Sequence, residues 1–388
     1  MASLASRRAV SGALVLGVVG LVATAVGVAL EPARALRGYL AAYAVVTSTA
    51  VGALILLLIG YACNARWLAA MRRLQEAISL LFPLLAVLFL PIALGVYHIY
   101  TWADPPPDLP ARDQALLAAK RAWLEPTGFV IRSVIYLGVF VVASEVLRRW
   151  SRARDAQTLS GDPEDALRRD RVFAAAMIPP VGLALTFASV DWLMSLQPTW
   201  VSSMFPVYVF SGGFSAGIAV LAILAAQVRV PLSLTPNHFH ALGRMLFAFC
   251  VFWAYASYFQ GFLIQIANRP VEVAFFVPRT RDGWGAVLVA VVLARFALPF
   301  FLLMPRSVKQ RPRYVAAVAG IVFVGHILDM YWVVVPSAHD ALSWVDLAAL
   351  VGLVGACVAF GAWRLGRASL VADGDPFLPA ALRYESPT

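Results

Sequence analysis

The sequence predicts an all-α integral membrane protein with ten transmembrane helices, and its composition and the length of its apolar segments support this prediction. Of the 388 residues, 61% are hydrophobic and 13% are charged. Soluble globular domains contain about 25% charged residues, so a soluble domain is excluded. The apolar segments approach about 20 residues without the polar–apolar alternation that a membrane β-barrel requires, which indicates spanning helices.

Ten apolar segments have the length of a membrane-spanning helix. The first follows Arg7 and Arg8 and exceeds the apolar core of about 7–15 residues in a signal peptide, so we predict a retained helix. The whole chain, residues 1–388, is predicted to form one membrane domain, and residues 364–388 a cytoplasmic tail on its surface. The predicted spans are 10–30, 39–61, 77–99, 128–147, 172–197, 201–227, 242–266, 284–304, 314–335 and 343–363.

The distribution of basic residues predicts the orientation of the chain. Ten spans place both termini on the same side of the membrane. The termini and loops on that side carry 20 of the 31 Lys and Arg residues, whereas the opposite loops carry 8. Because basic loops tend to remain in the cytoplasm, we predict that both termini are cytoplasmic. The net charge of +10 is therefore interpreted as a topology signal, and no nucleic-acid partner is expected.

Polar side chains inside the predicted spans are the candidates for a functional site. A charged side chain in the hydrocarbon region costs about 2.5–3.5 kcal/mol on insertion scales, so such residues usually face the interior of a helix bundle or a water cavity. Most of them lie in the half of the membrane opposite the termini, as a proton exit route or a quinol site there would require. The candidates are His98, Arg132, Asp191, Tyr255, Gln260, Arg295, His326 and Asp329.

A purely structural interpretation of these residues stays open at this point. Asp191 or Asp329 would pair with Arg132 or Arg295 only to fix the packing of the helices. His98, at the end of its span, would be an interfacial residue.

Cysteine and histidine positions limit the cofactors that the chain can hold. The three cysteines are far apart and form no CxxC pair, which excludes an iron–sulfur cluster, a zinc site and a c-type haem. Of the five histidines, only His98 and His326 are candidate ligands of a haem b, since His238, His240 and His339 are expected in loops. We predict no metal site and no redox cofactor in this chain, so a partner or a bound quinone would carry any electrons.

Several short segments between residues 40 and 336 resemble the ActF subunits, which are NrfD-like membrane proteins of the bacterial alternative complex III. No single segment is specific, but their order and spacing match the family. The segments are Leu88–Ile92, Tyr100–Ala103, Asp191–Trp200, Leu246–Phe249, Phe252–Tyr255, Gln260, Ala267–Asn268, Leu298–Phe300 and Leu328–Trp332.

The resemblance implies a particular arrangement of the helices and a set of site residues. Residues 39–197 and 201–335 would form two four-helix bundles from spans 2–5 and 6–9, with residues 10–30 and 343–363 as flanking helices. Asp191, Gln260 and Asp329 lie in matching motifs, and Arg132 with Tyr136 resembles the Arg-x-x-x-Tyr segment of the family.

The resemblance also implies a function in respiration. The family's complex oxidises menaquinol and passes the electrons through iron–sulfur clusters and haems to cytochrome c or directly to a terminal oxidase. The implied partners are an ActC-like sister subunit associated with the quinol site, an ActB-like iron–sulfur protein, ActA- and ActE-like c-type cytochromes, a terminal oxidase and the lipid of the bacterial inner membrane. ActF-like chains have a structural or proton-translocating role, so this chain would not be catalytic by itself. Menaquinone or menaquinol is the one cofactor that it would bind.

Two motifs depart from the family pattern. Ala241-Leu242-Gly243 stands where the family usually has Asp-Leu-Gly, and the segment 268–272 keeps only Glu272 of the two glutamates usual there. The loss of an acid at the cytoplasmic end of span 7 removes a candidate proton-uptake group. This weakens the expectation of proton pumping and leaves the expectation of assembly unchanged.

Two alternative functions stay open at the level of sequence. Ten helices with sparse buried charges also describe many secondary transporters, which place substrate near the midplane on helices that Gly or Pro interrupts. Pro179-Pro180 and Pro206 in the first half, and Pro299 in the second, are candidates for such interruptions. The buried charges lie mostly away from the midplane, which favours the respiratory complex. The other alternative is a purely structural scaffold in the same complex.

Overall fold

The chain forms a multi-pass helical membrane protein, as predicted. The computed structural model describes residues 7–156, 163–228, 232–267, 270–338, 340–366 and 370–386. Every regular element in these ranges is helical, and ten segments are long and apolar enough to span a membrane.

The ten spans alternate in direction along the chain. The side where span 1 begins is called the near side, and the opposite side the far side. The spans are Arg7–Leu30 (span 1), Pro32–Ala62 (span 2), Arg66–Leu94 (span 3), Pro126–Asp155 (span 4), Pro163–Trp192 (span 5), Phe205–Gln227 (span 6), Pro236–Ala267 (span 7), Trp284–Leu303 (span 8), Pro312–Val334 (span 9) and Trp344–Leu365 (span 10).

Several helices extend beyond the apolar segments, and the predicted boundaries were wrong there. Span 3 begins at Arg66 where a loop over 62–76 was predicted, and span 5 begins at Pro163 and not at residue 172. Within the extension of span 3, Arg73 is buried and forms a salt bridge with Glu76. A charged helical turn that is neutralised in this way cannot be recognised from hydropathy.

Two histidines that were expected in loops belong to span 7. His238 and His240 lie in its first turns, and both are buried. The C-terminal segment explains their burial: His238 Nε2 lies 3.0 Å from the carbonyl oxygen of Ala381, and His240 Nδ1 lies 2.7 Å from Ser386 Oγ. His339 lies outside the residues that the structure describes, as do the segments 157–162, 229–231, 268–269 and 367–369.

Span 2 is the centre of the molecule. Every side chain from Gly38 to Leu58 is buried, and the span packs against spans 1, 3, 5, 6, 9 and 10. A helix that is apolar on all faces is stable only when protein or lipid surrounds it. Here protein does so, and span 2 therefore determines the positions of most other helices.

Glycine residues allow the backbones of spans 2 and 6 to touch. A Cβ atom at Gly213 would lie 2.5 Å from the carbonyl oxygen of Ser48, and one at Gly217 would lie 2.6 Å from the nitrogen of Ala53. A Cβ atom at Gly52 would collide with the carbonyl oxygen of Gly213. Small residues at membrane helix interfaces permit such close approach.

The first and last spans pack against each other in antiparallel orientation and also contact span 2. Gly20 of span 1 faces Gly352 of span 10, and Gly17 faces Gly355, so this pair also depends on backbone contact. The tail continues on the near side, where the short helix Leu378–Leu382 packs on residues 66–71. The predicted surface tail is thus attached to the beginning of span 3.

We expect Gly213→Ala to destabilise the protein by about 2 kcal/mol or more, because the added methyl group meets the backbone of span 2 and not a movable side chain. Gly320→Ala in span 9 is the matched control, since a Cβ atom there meets nothing within 4 Å. Unfolding in mixed detergent micelles measures both. Equal stability of the two variants would contradict the proposed importance of the contact between spans 2 and 6.

Candidate functional site

Two of the Arg–Asp pairs inside the protein have the same set of partners, and one lies in each half of the chain. In both, the arginine comes from one span and the aspartate from the next, and a tyrosine hydroxyl donates to the carboxylate. In both, the guanidinium group also lies over a tryptophan ring. The first cluster comprises Arg132, Asp191, Tyr136 and Trp123, and the second cluster comprises Arg295, Asp329, Tyr208, Trp253 and His326.

In the first cluster, both oxygens of the Asp191 carboxylate are fully hydrogen-bonded. Oδ2 accepts from Arg132 Nε at 2.8 Å and from the Tyr136 hydroxyl at 2.9 Å. Oδ1 accepts from Trp123 Nε1 at 2.7 Å and from Arg132 Nη2 at 3.3 Å. Four hydrogen bonds hold the buried carboxylate in one position. Asp191 therefore acts as a fixed connection between spans 4 and 5.

The start of span 4 places Arg132 correctly for this contact. Glu125 precedes Pro126 and caps the helix by accepting hydrogen bonds from the amides of Thr127 at 2.9 Å and Gly128 at 2.6 Å. These backbone hydrogen bonds hold the pKa of the Glu125 carboxyl below its ordinary value. Arg132 lies two turns further on, with 18% of its side chain exposed, so water can reach part of it.

In the second cluster, Arg295 is the central residue. Only 1% of its side chain is exposed. Its Nη2 donates to the carbonyl oxygen of Gly212 at 3.1 Å and to Ser215 Oγ at 2.9 Å. Its Nη1 lies 2.6 Å from His326 Nδ1 and 3.3 Å from Asp329 Oδ2. The arginine therefore connects spans 6, 8 and 9.

His326 is neutral in this arrangement, and both of its ring nitrogens are occupied. Arginine only donates hydrogen bonds, so Nδ1 of His326 must accept. The proton is then on Nε2, which lies 2.9 Å from Ser48 Oγ of span 2. His98 is exposed in the short helix Val96–Ile99 that follows span 3. The two histidines that were considered as ligands of one haem are therefore not brought together.

The Asp329 carboxylate is completely buried, but its hydrogen bonding is incomplete. The Tyr208 hydroxyl donates to Oδ1. Oδ2 has Arg295 as an ion-pair partner and no hydrogen bond from any residue that the structure describes. Trp253 Nε1 lies close to the Asp329 carboxylate without a well-aligned hydrogen bond, and Ser257 Oγ has no hydrogen-bond partner within the described residues. This incompleteness distinguishes the second cluster from the first.

A cavity of about 980 Å³ lies beside the second cluster. Residues of spans 6, 7, 8 and 9 and of the segment 273–276 surround it, and Asp329 and Trp253 form part of its wall. Gln260 and Tyr255, which were predicted as site residues, also line the cavity without belonging to the Arg–Asp cluster. Span 7 packs on the second part of span 8, residues 293–303, and the cavity extends along the first part.

Local distortion of span 8 positions Arg295. Residues Leu293–Ala297 form a π-helical turn, followed by the segment Leu298–Leu303 with Pro299 near its start. Proline has no amide hydrogen to donate to the carbonyl of the residue four positions earlier, here Arg295, so the regular hydrogen-bonding pattern breaks at this point. Single π-helical turns occur frequently at functional sites.

The structure brings together six of the nine predicted site residues as two clusters: Arg132, Tyr136 and Asp191 in the first, and Arg295, His326 and Asp329 in the second. Sequence reasoning did not include Trp123, Tyr208, Ser48 and Ser257 among the site residues. A single hydroxyl or indole group in an apolar helix carries no sequence signal of its contacts. Within the described ranges, no group of three or more His, Cys, Asp or Glu side chains is arranged to hold a metal ion.

Asp329→Asn should destabilise the protein by about 3–5 kcal/mol, because it leaves the buried Arg295 cation without a carboxylate. Arg295→Gln combined with Asp329→Asn should recover a large part of this loss, since no unpaired charge remains. Asp191→Asn should cost less than Asp329→Asn, because water reaches Arg132. A double-mutant cycle on the free energy of unfolding measures these terms, and independent, additive effects at Arg295 and Asp329 would contradict the pairing.

Comparison with known proteins assigns no family to the chain: no model of a known protein family matches the sequence, and no curated protein matches it either. A functional assignment therefore depends on the geometry of the two clusters and the cavity, together with the resemblance of short sequence motifs.

Proposed function

We propose that this chain is a membrane subunit, without a redox cofactor of its own, of a menaquinol-oxidising alternative complex III in the bacterial cytoplasmic membrane, and that its second cluster takes part in proton transfer. The observation that carries the proton-transfer role is the Asp329 carboxylate, which is fully buried and has one oxygen without a hydrogen bond beside a large cavity. Partner subunits of the complex would carry the iron–sulfur clusters and the haems, as the resemblance of the sequence motifs implies.

The two clusters support different roles in this proposal. A proton acceptor needs a lone pair that a donor can approach. All the donors around Asp191 are in place, so this residue acts as a structural connection. Asp329 has an oxygen without a hydrogen bond from the described residues, and the Tyr208 hydroxyl extends the hydrogen-bonded chain to span 6. Quinol oxidation releases two protons, and a buried carboxylate of this kind would accept one of them at a time.

The proposal includes the two-bundle arrangement and the cytoplasmic location of both termini. Spans 2, 3, 4 and 5 contact one another in sequence, and span 5 returns to span 2. Spans 6, 7, 8 and 9 form the same closed series. These contacts support one four-helix bundle in each half, and the excess of basic residues on the near side supports a cytoplasmic near side.

The observed interruptions of the helices do not favour a secondary transporter. Pro179 and Pro180 lie inside the helix of span 5, and Pro206 is in the first turn of span 6. The helices that do break into shorter segments are spans 3 and 8. These are the second helix of one bundle and the third helix of the other, whereas transporters with internal repeats interrupt corresponding helices.

Purification through a tag on this chain tests the assignment to a respiratory complex. We expect a c-type cytochrome and an iron–sulfur protein to co-purify in mild detergent, identified by mass spectrometry and by a reduced-minus-oxidised spectrum. A chain that purifies without these partners and without colour would overturn the assignment and favour a carrier.

Turnover of the purified complex separates proton transfer from a scaffold role. The charge-neutral pair Arg295→Gln with Asp329→Asn should lower quinol:cytochrome c turnover by about tenfold or more, because the buried proton acceptor is lost. Tyr136→Phe is the control, since it removes one hydroxyl from the fully bonded first cluster. The haem content of each preparation reports assembly. Wild-type turnover of the double variant in a fully assembled complex would identify the chain as a scaffold.

A further inference from the structure

Basic residues gather at the near-side ends of spans 8 and 9. Arg306, Arg311 and Arg313 lie in the loop between these spans and in the first turn of span 9, and all three are exposed. None of them forms an ion pair with a residue that the structure describes. No Asp or Glu occurs between residues 283 and 328, so no acid of the neighbouring sequence neutralises them. The near-side end of this helix pair is therefore positively charged.

Two further cations add to the positive charge of this loop. Lys309 is buried in the loop, and its Nζ donates to the carbonyl oxygens of Leu303 at 2.8 Å and Met304 at 3.3 Å. Burial and the neighbouring Arg244 of span 7 lower the pKa of the Lys309 ammonium group. Cations that repel one another are stabilised by an anion placed among them. The loop is thus suited to hold a negatively charged group.

Apolar side chains continue from the basic loop along the surface of span 8. Leu298, Phe301 and Met304 follow one another at intervals of three residues and expose 46%, 70% and 52% of their surface. Residues three apart on a helix lie on the same face. They therefore form an apolar strip that starts beside the loop of Arg306 and runs toward the centre of the membrane.

Span 9 carries a second strip of the same kind. Ala317 and Val324 are exposed and lie four and eleven residues after Arg313, which places the three residues on one face of the helix. The two spans are joined at this end, where the Tyr314 hydroxyl donates to the carbonyl oxygen of Leu302 at 3.2 Å. Neighbouring helices thus offer two apolar strips, each with an arginine at its near-side end.

We propose that the near-side ends of spans 8 and 9 bind an anionic phospholipid, with its phosphate held by Arg306, Arg311 and Arg313 and its two acyl chains on the apolar strips. Arginine binds phosphate through two parallel hydrogen bonds, and basic groups beside transmembrane helices on the cytoplasmic side recognise anionic headgroups. A zwitterionic phospholipid fits less well, because the same arginines repel its ammonium group. A free phosphate ion has no acyl chains to occupy the strips. A site of this kind is independent of the assignment to a respiratory complex.

Lipid binding by the purified protein tests the site. The full chain, with the partners that it retains, is delipidated in dodecyl maltoside and titrated with phosphatidylglycerol or with phosphatidylcholine, and native mass spectrometry counts the bound lipids. We expect phosphatidylglycerol to bind with an apparent affinity about tenfold higher, because the choline group of the other lipid cancels the charge of the phosphate.

Substitution of the three arginines should remove the preference for the anionic lipid. With Arg306→Gln, Arg311→Gln and Arg313→Gln combined, we expect the apparent affinity for phosphatidylglycerol to fall by about tenfold, to that for phosphatidylcholine. Lysine at the same three positions should keep most of the preference, because the positive charge remains. The three side chains are exposed and form no ion pair with a described residue, so both variants should melt at the temperature of the wild type.

Three arginines on the far side provide a matched control. Arg112, Arg121 and Arg281 are also exposed, but Asp113 and Asp282 adjoin two of them in the sequence. Their combined replacement by glutamine removes the same charge from the chain. We expect the affinity of this variant for phosphatidylglycerol to equal that of the wild type.

Several outcomes would overturn the lipid site. They are equal affinity of the wild type for both lipids, wild-type binding of phosphatidylglycerol by the triple glutamine variant, and full displacement of this lipid by inorganic phosphate, which would indicate a free-anion site. A phosphatidylglycerol with a diazirine on its headgroup gives an independent measurement on the wild type in polymer-extracted membrane discs. We expect its label on residues 304–314. A protein cross-linked there in place of the lipid would show that a partner covers the arginines, and the lipid site would be wrong.

Discussion

The backbone contact between spans 2 and 6 is the constraint on which the rest of the structure depends. Where Gly213 meets the carbonyl of Ser48, the two helices approach as closely as their main chains allow. This contact sets the distance from Ser48 Oγ to His326, and it also places the Gly212 carbonyl within reach of Arg295. The second cluster therefore forms only when glycines, which carry no side chain to separate the helices, occupy this interface.

The two clusters contain similar residues but differ in how completely the aspartate carboxylate is hydrogen-bonded. Burial in a medium of low polarity makes every unpaired polar atom costly. Around Asp191, the Trp123 indole nitrogen, two nitrogens of Arg132 and the Tyr136 hydroxyl remove that cost, and the result is a rigid connection. Around Asp329, one oxygen lacks a hydrogen bond from the described residues, so the same chemistry retains a capacity for a proton.

On the near side, a lysine lies next to the beginning of span 7. Lys309 lies against Gly243 at the beginning of span 7 and donates to the carbonyl of Leu303 at 2.8 Å, and burial lowers the pKa of its ammonium group. A cationic lysine at this position is unfavourable for proton uptake from this side. The proposed proton transfer therefore concerns the far half of the protein, where Asp329 and the cavity lie.

The sequence by itself determined the all-helical membrane fold, the number of spans and the four charged residues of the two clusters, because long apolar segments and charges inside them are local properties of the chain. Which arginine pairs with which aspartate was decided only by the fold. It did not determine that Asp191 is fully hydrogen-bonded and Asp329 is not, nor that Tyr208 belongs to the second cluster. These features depend on which helix faces meet. The contact between spans 2 and 6 and the π-helical turn at Arg295 determine which faces do so. Trp123 illustrates the same limit, since only the folded chain brings its indole nitrogen within 2.7 Å of Asp191.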